Sequence, residues 1–141
     1  MPNGGMTVAD IMSTDVVTMI EDETLAHAKS CMDRGRIRHL PVVHDGILVG
    51  LVTHRDLLAA SFSIFAEVEP AEQRRIFVRV PVAEAMHRDV VTVAPATSVA
   101  EAARILLDNK YGCLPVVADD GRLLGIVTEA DFLRLTVRLL A

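Results

Sequence analysis

Tryptophan is absent from the 141-residue chain, and one Tyr and four Phe are its only other aromatics. The core must therefore be aliphatic, assembled from Val, Leu, Ile, Ala and Met. Cysteine is almost as scarce. Cys31 and Cys113 sit in apolar periodic segments and not at C-x-x-C spacing, so both read as reduced packing residues of a cytosolic protein, with a structural disulfide as the alternative. No run of five basic residues occurs and the formal net charge is -5, which argues against a phosphate-neutralising surface and hence against nucleic acid as a partner. No stretch approaches eighteen uninterrupted apolar residues, and the first residues carry neither a basic nor an apolar leader pattern, so a cytoplasmic chain with no membrane partner is expected.

Catalytic patterns are missing too. The five histidines, His27, His39, His44, His54 and His87, do not fall into H-E-x-x-H, and neither G-x-S-x-G nor a Walker-type glycine loop occurs. No catalytic residue, metal ligand set or catalytic cofactor is expected.

What is present is a repeat. Val8 to Leu58 lies on Val82 to Leu133 with one single-residue insertion near Asp120; the offset is 74 residues before it and 75 after, and 21 of 51 paired positions are identical. Each copy opens with a short helical turn, Val8 to Met12 and Val82 to Met86. A β-branched run follows, Val16-Val17-Thr18 and Val90-Val91-Thr92-Val93, and reads as a strand.

A helix comes next, with Ser98 to Glu101 as a capping box and Val99, Ala102, Ala103, Leu106 and Leu107 on one face. In the first copy Thr24 is the cap and Leu25, Ala28, Cys31 and Met32 the face. Gly35 and Asn109 stand where a left-handed C-terminal cap is wanted. Then Leu40-Pro41-Val42-Val43 and Leu114-Pro115-Val116-Val117 begin strands, with proline near the start. Asp45-Gly46 and Asp119-Asp120-Gly121 make hairpin turns, and Leu48 to Val52 and Leu123 to Val127 return. Closing helices follow, so the expected unit is β-α-β-β-α.

A unit of about fifty residues buries only about 60% of its unfolded surface, so two copies packed sheet to sheet are expected to share one module. The expected bounds are 7-60 for the first repeat, 61-80 for a connector and 81-138 for the second repeat. Within the connector, Pro70 at a first helical position and acids in the first turn indicate a helix. Its apolar residues Phe62, Ile64, Phe65, Ile76 and Phe77 either cover the core or supply a dimer surface.

Both returning strands end alike, in Gly50-Leu51-Val52-Thr53-His54-Arg55-Asp56 and Gly125-Ile126-Val127-Thr128-Glu129-Ala130-Asp131. Together with the L-P-V-V strands and the Asp15-Val16-Val17-Thr18 and Asp89 to Val93 openings, these resemble the cystathionine-β-synthase (CBS) domain, whose mark is a G-h-h-[ST]-x-x-D ending. The resemblance covers Val8 to Leu133 and is met twice, as in a free-standing bacterial tandem pair. It implies an α/β (α+β) fold of two repeats related by pseudo-two-fold symmetry. It also implies a regulatory module binding AMP, ADP, ATP or S-adenosylmethionine in clefts between repeats, a homodimer forming a disc of four repeats, and a regulated protein whose identity the sequence does not supply.

Carried over residue by residue, the resemblance implies a first site from Val91, Tyr111, Gly112 and Cys113 with Thr53, His54, Arg55 and Asp56, and cations Arg38 and His39 nearby. A second site would take Val17, Ile37, Arg38 and His39 with Thr128 and Asp131. An aspartate suits a ribose diol, because it can accept from two adjacent hydroxyls; phosphate needs the threonine hydroxyl, free N-H groups at the helix start and cations. The cations cluster in the first copy, so the first site is expected to hold phosphorylated adenosine more tightly. The plain reading of the same residues is helix capping, Thr53 and Thr128 as N-caps with Asp56 and Asp131 helped by the helix dipole.

Overall fold

The structure is a computed structural model that describes residues 5–65 and 69–141, with side chains except those of 61–65. In order the elements are α1 (Val8–Ile11), α2 (Leu25–Gly35), β1 (His39–His44), β2 (Ile47–Thr53), α3 (His54–Phe65), α4 (Pro70–Phe77), a 3-10 turn (Val82–Glu84), α5 (Val99–Asn109), β3 (Cys113–Val117), β4 (Leu123–Thr128) and α6 (Glu129–Leu140). The fold is mixed α/β, with two antiparallel two-stranded sheets, β1-β2 and β3-β4.

The chain divides into two compact units that do not coincide with the sequence repeats. One runs from Val17 to Val90; the other joins the residues up to Val16 to Val91–Ala141. Each repeat's opening turn thus belongs with the other repeat's sheet. In the Val17–Val90 unit, Leu25 N-H donates to Val80 O and Val82 N-H to Glu23 O, which seats the 3-10 turn against the start of α2. In the other unit, Val8 N-H donates to Thr97 O and Ala9 N-H to Pro95 O, which seats α1 before α5.

The Val17–Val90 unit has its core in Met19, Leu25, Ala28, Met32, Leu40, Val42, Val52, Leu57, Phe77, Val82 and Met86. Its sheet turns through Asp45 (φ 50) and Gly46 (φ 82), two consecutive left-handed residues, as a two-residue type I′ hairpin requires. Strand β2 carries one bulged residue: Val42 pairs with Gly50 and Val43 with Leu48, which leaves Val49 extra. The connector helix starts on Pro70 as expected and packs into this core through Phe77 and Ile76, so these two cover the core. Phe62, Ile64 and Phe65 lie outside the described side chains.

The second-repeat unit is built the same way around Val8, Val93, Ala102, Leu106, Leu114, Val116 and Val127. Its hairpin spans three residues, with Ala118 N-H donating to Arg122 O and Gly121 at φ 88. The one-residue insertion between the repeats is therefore the difference between a two-residue and a three-residue loop. Leu124 is the bulged residue here, matching Val49.

Three sequence expectations need correction. The runs Val16 to Thr18 and Val90 to Thr92 are not strands; each opening segment contributes a single parallel bridge, Met19 to Val42 and Val93 to Val116. Pro41 and Pro115 explain it. Met19 N-H donates to Pro41 O and Val93 N-H to Pro115 O, so each proline turns that edge towards the opening segment. A proline offers no N-H there, and the ladder stops. The left-handed caps fall one residue later than expected, on Arg36 (φ 52) and Lys110 (φ 57), while Gly35 and Asn109 end their helices in helical conformation. Asn109 instead donates its side-chain N-H to Ile105 O. Finally, Leu107 points outward, 77% exposed, and Ile105 packs in its place.

Candidate functional site

The two sheets end in two similar corners. In the Val17–Val90 unit His39 pairs with Thr53, and His54 N-H donates to Arg38 O at 2.8 Å, which ties the start of β1 to the first turn of α3. Thr53 and Asp56 cap each other: Thr53 N-H donates to Asp56 Oδ2 at 2.8 Å and Asp56 N-H to Thr53 Oγ1 at 3.2 Å. In the other unit Cys113 pairs with Thr128, Glu129 N-H donates to Gly112 O at 3.3 Å, and Thr128 N-H donates to Asp131 Oδ2 at 2.8 Å.

The expected sites each draw on residues of both units, so each unit is taken for the part it carries. The Val17–Val90 unit brings Arg38, His39, Thr53, His54, Arg55 and Asp56 to one corner, with Ile37 just before β1. Arg38, His54 and Arg55 are exposed there, and Val17 is 47% exposed beside the unladdered edge at Pro41. The second-repeat unit brings Gly112, Cys113, Thr128 and Asp131 together, with Tyr111 (39% exposed) preceding β3 and Val91 (40% exposed) beside Pro115. Cys113 is 4% exposed, and burial pushes its thiol up from 9.0 to about 12, so its side chain packs in the strand as a neutral group.

Capping alone does not make these aspartates special. Thr7 and Asp10 form a third box with the same 2.8 Å bond from the cap N-H to the carboxylate, on the exposed start of α1. What sets Asp56 and Asp131 apart is burial and the use of their second oxygen. The Asp56 side chain is 12% exposed and the Asp131 side chain 8%. Asp56 Oδ1 lies 2.6 Å from His87 Nε2, and Asp131 Oδ1 accepts from Arg134 Nη1 at 3.0 Å.

Neither His87 nor Arg134 was singled out by the motif. Arg134 was detectable, three residues after Asp131 on a helix, where side chains meet. His87 was not: it reaches Asp56 across thirty-one residues because Leu51 and His87 exchange both backbone hydrogen bonds, each 2.9 Å. Two further expectations change. Cations are not confined to the first repeat, since Arg134 stands on Asp131. And the helix start of α3 is not a set of free donors: the N-H groups of Thr53, His54 and Asp56 are already taken.

Each motif glycine has a steric reason. A Cβ on Gly50 would lie 2.5 Å from Met86 Sδ and 3.0 Å from His87 O, and one on Gly125 2.7 Å from Ser13 O. The segment that carries His87 crosses closely over Gly50, and the segment that carries Ser13 more closely still over Gly125. Among the described residues no cluster of three His, Cys, Asp or Glu could hold a metal ion, and no helix is long and apolar enough to cross a membrane.

A family model described as the CBS domain matches the chain twice, over residues 8–63 and 82–138. Among curated proteins, a CBS domain-containing protein of Dictyostelium discoideum is 37% identical over 135 residues, 94% of this chain and 92% of the relative. A protein of Methanocaldococcus jannaschii, MJ1225, is 35% identical over 129 residues, 90% of this chain; the chain spans 46% of that relative's length. Among solved structures, CBSX2 in complex with AMP has a TM-score of 0.81 at 29% identity, covering 97% of this chain and 100% of that one. The CBS domain pair of protein MJ0100 in complex with 5′-methylthioadenosine and S-adenosyl-L-methionine has a TM-score of 0.77 at 29% identity, covering 93% of this chain and 95% of that one.

Proposed function

The chain belongs to the CBS-domain family as a tandem pair, and we propose that it is a regulatory module that binds an adenosine-containing ligand, AMP, ADP, ATP or S-adenosylmethionine, at its threonine-aspartate corners and signals by a change of conformation. The similar structures that hold AMP, 5′-methylthioadenosine and S-adenosyl-L-methionine support this reading. The observation that carries it is the pair of mostly covered carboxylates, Asp56 and Asp131, each in the first turn of the helix that follows a returning strand, with exposed polar and cationic neighbours. A nucleoside needs acceptors for its vicinal hydroxyls, an apolar surface for the base and donors for any phosphate. Asp56 and Asp131 are the acceptors, with each accepted bond worth roughly 1.5–3 kcal/mol when charge-assisted. Arg38 and Arg55 supply phosphate donors beside Asp56; beside Asp131, Glu129 opposes an anion and Arg134 gives one N-H to the carboxylate. The Asp56 corner therefore takes the phosphorylated ligand and the Asp131 corner a less anionic one. Signalling can be no larger than the ligand's preference between two shapes.

The role is regulatory rather than catalytic, carried out in the cytoplasm on a separate regulated protein. A ligand present at 100 times its dissociation constant adds about 2.7 kcal/mol of stability, so a thermal-shift panel of AMP, ADP, ATP and S-adenosylmethionine tests the reading. A rise with at least one adenosine compound, and none with inosine or inorganic phosphate, is the expected result; no shift with any of the four refutes it.

A second reading, a dimerisation module without a ligand, is favoured by the stripe of Leu133, Val137 and Leu140 on α6, which are 67%, 67% and 81% exposed. Spaced four and three apart, they form one apolar helix face. A dimer by light scattering together with a flat thermal panel would favour it. A homodimer that also binds nucleotide accommodates both.

A further inference from the structure

The repeats treat their aspartates differently, and the difference lies outside the motif. On the Asp131 side the second carboxylate oxygen is held by Arg134, a 73% exposed side chain of the same helix. On the Asp56 side it is held by His87, whose counterpart in the first repeat is Ser13. Ser13 exchanges backbone hydrogen bonds with Ile126 just as His87 does with Leu51, so both segments occupy equivalent places. Only His87 carries a side chain that reaches the carboxylate.

We propose that His87 gates the Asp56 corner, occupying the carboxylate oxygen that a ribose hydroxyl must take and being displaced when nucleotide binds. The inference rests on reading Asp56 as the ribose acceptor. Asp56 is 12% exposed, its Oδ2 faces the Thr53 N-H at 2.8 Å and its Oδ1 faces His87 Nε2 at 2.6 Å. A carboxylate only accepts, so Nε2 carries the hydrogen of that bond. A diol reaching for both oxygens meets one acceptor committed to the helix cap and the other behind the imidazole.

The His87 backbone is fixed on Leu51 by two 2.9 Å bonds, which places the ring within reach of Asp56, and 64% of the side chain faces solvent, into which the ring can swing by a rotamer change. His87 also lies three residues before Val90, where the chain leaves this unit.

Calorimetric titration of AMP into the wild-type, His87→Ala, His87→Gln and Asp56→Ala chains tests the gate, with thermal melts to establish that each variant is folded. His87→Ala is expected to bind roughly three- to tenfold more tightly, the range of one exchanged hydrogen bond. His87→Gln, whose amide N-H can also donate, is expected to stay near wild type. A merely structural His87 would give weaker binding in both variants. Unchanged or weaker binding by His87→Ala, together with binding lost in Asp56→Ala, overturns the gate alone. Wild type that takes up no AMP, or Asp56→Ala that binds as wild type does, overturns the assignment of Asp56 and the gate with it.

Discussion

Replacing Gly125 by alanine tests how the opening turns lock onto the sheets. A Cβ there would sit 2.7 Å from Ser13 O and 3.0 Å from Met12 Sδ. The thioether can rotate away; the carbonyl cannot move alone, because Ser13 O accepts from Ile126 N-H and Ser13 N-H donates to Ile126 O, both at 2.9 Å. Relief requires pushing this segment off β4 and stretching both bonds, so overpacking and weakened hydrogen bonds act together, at about 2–3 kcal/mol. For a chain of this length that corresponds to a melting temperature lower by roughly 6–12 °C.

Gly50→Ala is the internal control. Its Cβ would meet Met86 Sδ at 2.5 Å and His87 O at 3.0 Å, so most of the conflict falls on a flexible side chain and a carbonyl that must yield only a few tenths of an ångström. A loss of about 1 kcal/mol is expected. Thermal unfolding followed by circular dichroism measures both. Gly125→Ala as stable as wild type, or Gly50→Ala the more damaging of the two, would refute the reasoning.

Two further outcomes follow from local conformation and burial. Lys110 holds a left-handed conformation, φ 57, that costs an L side chain about 1 kcal/mol, so Lys110→Gly is expected to raise stability in denaturant unfolding by about 0.5–1 kcal/mol. Burial raises the Cys113 thiol from 9.0 to about 12, so it stays protonated and should resist a disulfide exchange reagent at pH 8 until the chain unfolds. Because the folded value is the higher one, the associated stability is complete below pH 9 and is lost as pH rises from 9 towards 12.

How much of this was legible beforehand depended on the range of the interaction. The helices, hairpins and caps are local, and Ser98, Thr24, Asp45-Gly46 and Pro70 announced them through backbone preferences alone. The repeat made the fold legible, since two copies of one pattern constrain each other. The opening strands were misread because Val16 to Thr18 has strand composition, whereas its pairing is decided by Pro41, more than twenty residues on. The exchange of opening turns was invisible for the same reason: α1 opens its own repeat in sequence but finds its hydrogen bonds at Pro95 and Thr97. At the corners, the capping pairs were written in the T-x-x-D spacing. The His87 bond to Asp56 was not, because it depends on where a different segment crosses the sheet at Gly50.

The central claim is that Asp56 and Asp131 each hold the ribose of an adenosine ligand, with the phosphorylated one at Asp56. Isothermal titration of AMP into wild type, Asp56→Ala and Asp131→Ala tests it most directly. The claim predicts that Asp56→Ala loses at least tenfold in AMP affinity, the equivalent of about 1.4 kcal/mol, and that Asp131→Ala leaves the AMP affinity within about threefold of wild type while remaining folded. Full AMP affinity in Asp56→Ala, with affinity lost in Asp131→Ala, would contradict it.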